Sequence, residues 1–219
     1  MTELFYPAKC VLCDNLLSEA ETDLCHDCRT HMPDWKKGNF KISFVARWVA
    51  VWYYKDNVRQ SLQRYKFQRR RHYSIVYGRL LALRLQNAGM DDFDVLTWVP
   101  ASLRRRWKRG FDHVGLIAKA AAKTLGSQAV PTLRKIRHNP PQSGMNNDAA
   151  RRANVLGAYR VKDPALVAGK RILLIDDIIT SGATLSECAK TLCIAGASAV
   201  LGAAVAAASG DKPKDNPKM

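Results

Sequence analysis

The chain has 219 residues, 47% of them hydrophobic and 25% charged, with a formal net charge of +16 at neutral pH. That apolar share supports a packed core and excludes a wholly disordered chain, and the length suits one ordinary domain with a small appendage rather than a multidomain scaffold. The basic balance, with a pI near 9.9, attracts polyanions, whether nucleic acid, anionic lipid or phosphorylated small molecules.

Met1 to Pro7 carries no basic segment followed by a long apolar one, so no secretory signal is expected and the protein reads as soluble and cytoplasmic. Residues 1–39 hold Cys10-x2-Cys13 and Cys25-x2-Cys28, eleven residues apart, with few large aliphatic residues. Such a segment cannot build a core alone. Two matched pairs can place four thiolates tetrahedrally around one zinc, and four thiolates close the site, which makes the expected Zn2+ structural. His26 and His31 are possible substitutes for a cysteine ligand. Cys188 and Cys193 read as core residues of a late helix.

Residues 42–54 are β-branched and aromatic with partial alternation, which predicts a strand or hairpin. From Val58 to about Leu85, Leu62, Tyr65, Ile75, Leu80 and Leu81 recur at helical spacing among many cations, predicting one or two basic amphipathic helices. Arg64, Lys66, Arg69, Arg70 and Arg71 here, and Arg105 and Arg106 in the later run 104–111, are interleaved with aromatic residues. Cations tracking a phosphate backbone beside rings for bases to stack on suit single-stranded DNA. A solvated helix face with its aromatics turned into the core fits the same pattern.

Beyond Asn87 the chain alternates. Short apolar runs at 94–99, 171–175 and 199–206 are separated by helical stretches at 114–125 and 184–195. Apolar strands without alternation, divided by helices, predict an α/β fold whose parallel sheet is covered on both faces. The uncharged run 191–210 is Ala-rich and broken by glycines, so it reads as helix, turn and buried strand rather than a membrane span. Residues 134–154 form a long, polar, proline-broken stretch, and loops of that length in a compact domain are usually functional.

The run from Arg171 to Leu185 is the most informative. An apolar strand ends in Asp176 and Asp177, and Thr180, Ser181, Gly182, Ala183 and Thr184 then open a helix. Backbone amides at a helix start bind phosphate, and glycine lets the backbone come close. Carboxylates beside such a site need hydroxyls or a metal as partners, and a phosphorylated sugar brings both phosphate and hydroxyls. Two acids at the end of a buried strand are costly without a partner.

These residues resemble the signature of the type I phosphoribosyltransferases, with Ser181 standing where a second Thr is usual. The resemblance implies that Asp176 and Asp177 hold the ribose hydroxyls of phosphoribosyl pyrophosphate, that Thr180 to Thr184 cradle its 5′-phosphate, and that Mg2+ accompanies the pyrophosphate. With the cysteine pairs, Tyr65-Lys66-Phe67, Val99-Pro100, Arg109-Gly110-Phe111, Gln142 and Arg152-x-Asn154, the order is similar to that of the ComF (ComFC, GntX-like) proteins over nearly the whole chain. Ser102 departs from that pattern where a second Pro is common, and Asp112-His113 where Asn-Gln is common.

The resemblance implies a parallel-sheet phosphoribosyltransferase-like domain over residues 40–210, a small zinc-binding module over 1–39 and a solvated tail over 211–219. It implies substrate contacts at Arg109, Arg137, Gln142 and Arg152, while His138 reads either as a general acid or base or as a surface residue of the same loop. Two functions are open. One is phosphoribosyl transfer to an unspecified acceptor. The other is a non-catalytic single-stranded DNA-binding module working beside a helicase-like partner in DNA uptake.

Overall fold

The computed structural model describes residues 8–36, 40–102, 107, 110–137 and 153–208. Arg105, Arg106, Arg109, His138, Gln142 and Arg152 lie outside the described residues.

Four strands form one parallel sheet: β1 (Arg47–Tyr53), β2 (Val95–Trp98), β5 (Arg171–Ile179) and β6 (Ala199–Ala207), in the order β1-β6-β5-β2. β5 and β6 are the central pair, with Ile175 opposite Ala203, and Trp98 flanks Ile175 from the outer strand. Both are buried along almost their whole length, as strands covered on two faces must be. The aromatic run at 42–54 is not a hairpin. Its second half is the single edge strand β1, and Ile42 to Ala46 precede it as an irregular segment. Short β3 (Leu133–Lys135) and β4 (Tyr159–Val161) pair antiparallel in a separate ribbon that brackets the long polar stretch.

The basic stretch forms two helices, α2 (Asp56–Phe67) and α3 (Tyr73–Asn87). They are broken where Arg69 takes a left-handed φ of 57°. α3 crosses α4 (His113–Thr124) so closely that a Cβ on Gly78 would lie 2.4 Å from the Ala120 Cβ. α5 (Ala183–Ile194) packs against β4, β5 and β6. Among the described residues no helix is long and apolar enough to cross a membrane.

The cysteine segment, with its single short helix α1 (His26–His31), does not stand apart from this core. Val11, Leu12, Leu24 and Trp35 are buried in one apolar cluster with the sheet residues. Polar contacts reinforce the docking. Tyr73 donates to Asp14 Oδ1 at 2.9 Å, Arg70 pairs with Asp14 at 3.6 Å, and Arg79 pairs with Asp23.

Candidate functional site

Open parallel sheets bind ligands beyond the carboxyl ends of their strands, and the acidic residues lie there. β5 runs on through Asp176 and Asp177 to Ile179, so the acids are strand residues rather than the start of a turn. Successive strand side chains point to opposite faces, and the two carboxylates accordingly meet different surroundings.

Asp177 faces helices α2 and α4. Lys66 Nζ lies 2.7 Å from its Oδ2 and His113 Nε2 lies 3.0 Å from the same oxygen. All three side chains are largely buried, at 10% exposure for Asp177, 15% for Lys66 and 8% for His113. Tyr65 braces the arrangement by donating to the His113 carbonyl at 2.6 Å. Burial alone raises the Asp177 pKa, but the Lys66 charge and the His113 hydrogen bond outweigh it and hold the carboxyl well below the usual range. Among the described residues no cation pairs with Asp176 at contact distance, and the Lys66 charge acts on it only weakly beside burial and Asp177. Asp176 Oδ1 accepts the Asp177 amide at 2.9 Å, while burial first and the Asp177 charge second push the Asp176 pKa well above the ordinary value. Two adjacent acids are thus driven apart in protonation by the two faces of one strand.

Asp176 shares a small cavity with Thr180, Gly182, Ala183 and Thr184. Gly182 caps α5 with φ 73°, where a side chain is strained, and a Cβ there would come within 2.8 Å of Ile42 Cγ1. Ile42 is therefore the wall behind the loop, a role its sequence position does not advertise. The Ser181 hydroxyl is buried without a hydrogen-bond partner among the described residues. An orphaned hydroxyl at the start of a helix can receive an anion, and carboxylates nearby can accept hydrogen bonds from hydroxyls.

The cations expected on a nucleic-acid face divide. Lys66 turns inward onto Asp177, Arg64 donates to the Leu12 carbonyl, and Arg70 serves Asp14. Arg71, which is exposed, donates to the Gly110 carbonyl at 2.8 Å and stacks over Phe111, and Arg69 is exposed as well. Arg64 and Lys66 lie on helix α2, whereas Arg69, Arg70 and Arg71 lie in the turn between α2 and α3, so these cations point in different directions. Asp112 caps α4 through the Gly115 amide and accepts from Trp98 Nε1 at 3.0 Å, which ties its charge into local structure. Its neighbour His113 reaches the acid site. The need of paired acids for a countercharge signalled that a cation existed; nothing local said that Lys66 supplies it.

A separate groove of about 880 Å³ runs between α3 and α4. Ile75, Trp98, Leu116 and Pro131 line it together with Arg71, His72, Lys119 and Lys162.

Cys10, Cys13, Cys25 and Cys28 converge, their four sulfurs lying within 4.8 Å of one another. Tetrahedral zinc with Zn–S bonds of about 2.3 Å needs sulfurs about 3.8 Å apart, and Cys13 and Cys25 are separated by 3.6 Å. The donor set therefore fits a closed metal site. The Cys28 amide points at Cys25 Sγ from 3.4 Å, and Asn57 Nδ2 lies 3.9 Å from Cys28 Sγ. Such outer contacts orient thiolate ligands. Cys188 is fully buried and half-buried Cys193 is its companion on α5, both apart from this cluster.

The Phosphoribosyl transferase domain family matches residues 115–218. The DNA utilization protein YhgH of Escherichia coli K12 is 28% identical over 181 residues, covering 80% of this chain and 74% of its own. Competence protein F of Haemophilus influenzae is 26% identical over 77% of this chain and 71% of its own, and Competence protein ComFC of Streptococcus pneumoniae is 29% identical over 84% and 76%. Among solved structures, a glutamine phosphoribosylpyrophosphate amidotransferase from B. subtilis is 25% identical, with a TM-score of 0.41 over 59% of this chain and 25% of that one.

Proposed function

The chain belongs to the ComF family and has a phosphoribosyltransferase-like fold, and from that premise we propose that it binds phosphoribosyl pyrophosphate at the acid-and-hydroxyl end of its sheet and serves DNA uptake from the cytoplasm. The observation that carries this is the small cavity that Asp176 shares with Thr180, the left-handed Gly182 cap and Thr184, with the neighbouring Ser181 hydroxyl buried without a partner among the described residues.

In this reading Thr180, Ser181, Gly182, Ala183 and Thr184 receive the 5′-phosphate through amides and hydroxyls. Asp176 and Asp177 accept the ribose hydroxyls. Lys66 offsets the charge of Asp177, so the acid pair does not repel an anionic ligand. Arg109, Gln142 and Arg152 contact the pyrophosphate end. Magnesium enters with the pyrophosphate, whose hard oxygens suit it, since Asp177 already carries Lys66 and His113. Departure of pyrophosphate from the anomeric carbon leaves an oxocarbenium-like centre, and fixed orientation with charge stabilisation suffices for transfer without a protein nucleophile. The four thiolates hold zinc as a structural ion.

Calorimetry with phosphoribosyl pyrophosphate and magnesium tests the reading: binding in the wild type and none in Asp176→Asn/Asp177→Asn supports it, and equal affinity in both rejects it. Pyrophosphate release with an acceptor panel then separates enzyme from sensor.

The groove between α3 and α4 supports a second activity, single-stranded DNA binding, with bases against the exposed Ile75 and phosphates at Lys119 and Lys162. Lys119→Glu/Lys162→Glu should weaken DNA binding and flatten its salt dependence by about 1.4 in log–log slope, at about 0.7 per phosphate contact. Phosphoribosyl pyrophosphate affinity should not change. An unaltered salt slope removes the groove from DNA binding.

A further inference from the structure

Helix α2 joins the cysteine module to the acid site. Asn57, Ser61 and Arg64 recur at i, i+4 and i+7, so they share one face of the helix. That face lies on the module: Ser61 Oγ donates to the Val11 carbonyl, the Arg64 guanidinium to the Leu12 carbonyl, and Asn57 Nδ2 lies 3.9 Å from Cys28 Sγ. Val11 and Leu12 are the two residues between Cys10 and Cys13, so closing the four sulfurs on one ion fixes the direction of both carbonyls. Val58, Leu62 and Tyr65 form a second, fully buried face. Lys66 leaves the last turn of the helix toward Asp177.

We propose that Ser61 and Arg64 are positioning residues through which the cysteine module sets Lys66 on Asp177, so that losing the module's metal loosens the countercharge of the acid pair. The chain of contact is short. The chelate orders Val11 and Leu12, these fix the rotation of a 12-residue helix, and that rotation places one ammonium group. When it slackens, Lys66 meets water and Asp177 is left with His113 alone. The module then acts on ligand affinity without touching ligand. The inference rests on the four thiolates holding a metal, and its effect on affinity rests on the phosphoribosyl reading.

The experiment measures acylation of Lys66 by a succinimidyl ester, read by peptide mass spectrometry, in zinc-loaded full-length protein. Wild-type Lys66 should react slowly, and Ser61→Ala/Arg64→Met should raise its rate about tenfold, the scale of losing one charge-assisted hydrogen bond. Metal content should stay at one ion per chain, and exposed Lys119 and Lys170 should react as before. Ser61→Thr, which keeps the hydroxyl, should leave Lys66 protected. Chelation of the wild type should reproduce the exposure. Equal protection of Lys66 in wild type and double variant overturns the proposal. If the double variant loses its metal, Ser61→Ala alone decides the matter: faster Lys66 labelling with metal retained supports the coupling, and unchanged labelling rejects it. The readout needs no phosphoribosyl ligand, so a wild type that binds none would overturn the functional reading while leaving this test intact.

Discussion

The cysteine module and the acid site solve opposite assembly problems. The module takes all four sulfurs from nineteen consecutive residues, and on the proposed reading its order depends on the ion they hold. The acid site draws Lys66 from α2, His113 from α4, Asp176 and Asp177 from β5 and Ile42 from the segment before β1. Its order depends on the sheet. A site closed by local spacing stands or falls with its ligand, whereas one assembled by a fold keeps its shape and changes only its charge when a member is altered.

The largest expected effect tests the first half of that contrast. Cys13→Ser or chelation should remove the metal and melt residues 8–36, because structural zinc contributes on the order of 10 kcal/mol to folding. The parallel sheet should survive, seen as retained amide protection in β5 and β6 with protection lost around Cys10 and Cys25. Simultaneous loss of both regions would show that the two are one cooperative unit.

Next in size is Asp177→Asn. Removing one partner of a largely buried ion pair leaves the other charge stranded, so Lys66 without its carboxylate should cost about 3 kcal/mol by denaturant unfolding. Because the folded-state pKa of Asp177 is depressed, this contribution is present above the unfolded carboxyl value near 3.9 and fades as the pH falls below it. The variant's deficit should therefore be full at pH 7 and shrink below about pH 4. A deficit independent of pH would show that Lys66 does not act through charge.

Asp176→Asn should behave oppositely and more weakly. A raised folded-state pKa makes the wild type lose stability as pH rises from about 4 toward that value, since the unfolded chain ionises first. The asparagine variant escapes this loss, so it should match wild type near pH 4 and exceed it at neutrality. A variant less stable than wild type at pH 7 would mean that Lys66 serves both acids.

Much of the fold was legible because its signals are local. The apolar runs of β5 and β6 mark buried parallel strands, and the cysteine pairs announce a metal site. The turn from Thr180 to Thr184 that opens a helix was legible for the same reason, since hydroxyls and a glycine after an apolar run are a local signal. Lys66 was not legible, since within a run of cations only tertiary packing decides which one turns inward. Arg64 and Arg70 share the same ambiguity: their residue types suit nucleic acid and an internal carbonyl or carboxylate equally well. The aromatic run at 42–54 read as one element because its composition is uniform, yet only residues from Arg47 onward find a strand partner, and Ile42 packs on Gly182 instead.

The pairing of a phosphate loop with a hydroxyl-accepting acid pair is tested most directly by comparing ribose 5-phosphate with 2-deoxyribose 5-phosphate in equilibrium titrations of the wild type and Asp176→Asn/Asp177→Asn. A site built to bond a hydroxyl discriminates strongly against its absence. The wild type should therefore prefer the ribose compound by about tenfold or more, and the double variant should bind both with the same reduced affinity. Equal affinity of the wild type for the two sugars would contradict the assignment of Asp176 and Asp177 to the sugar hydroxyls.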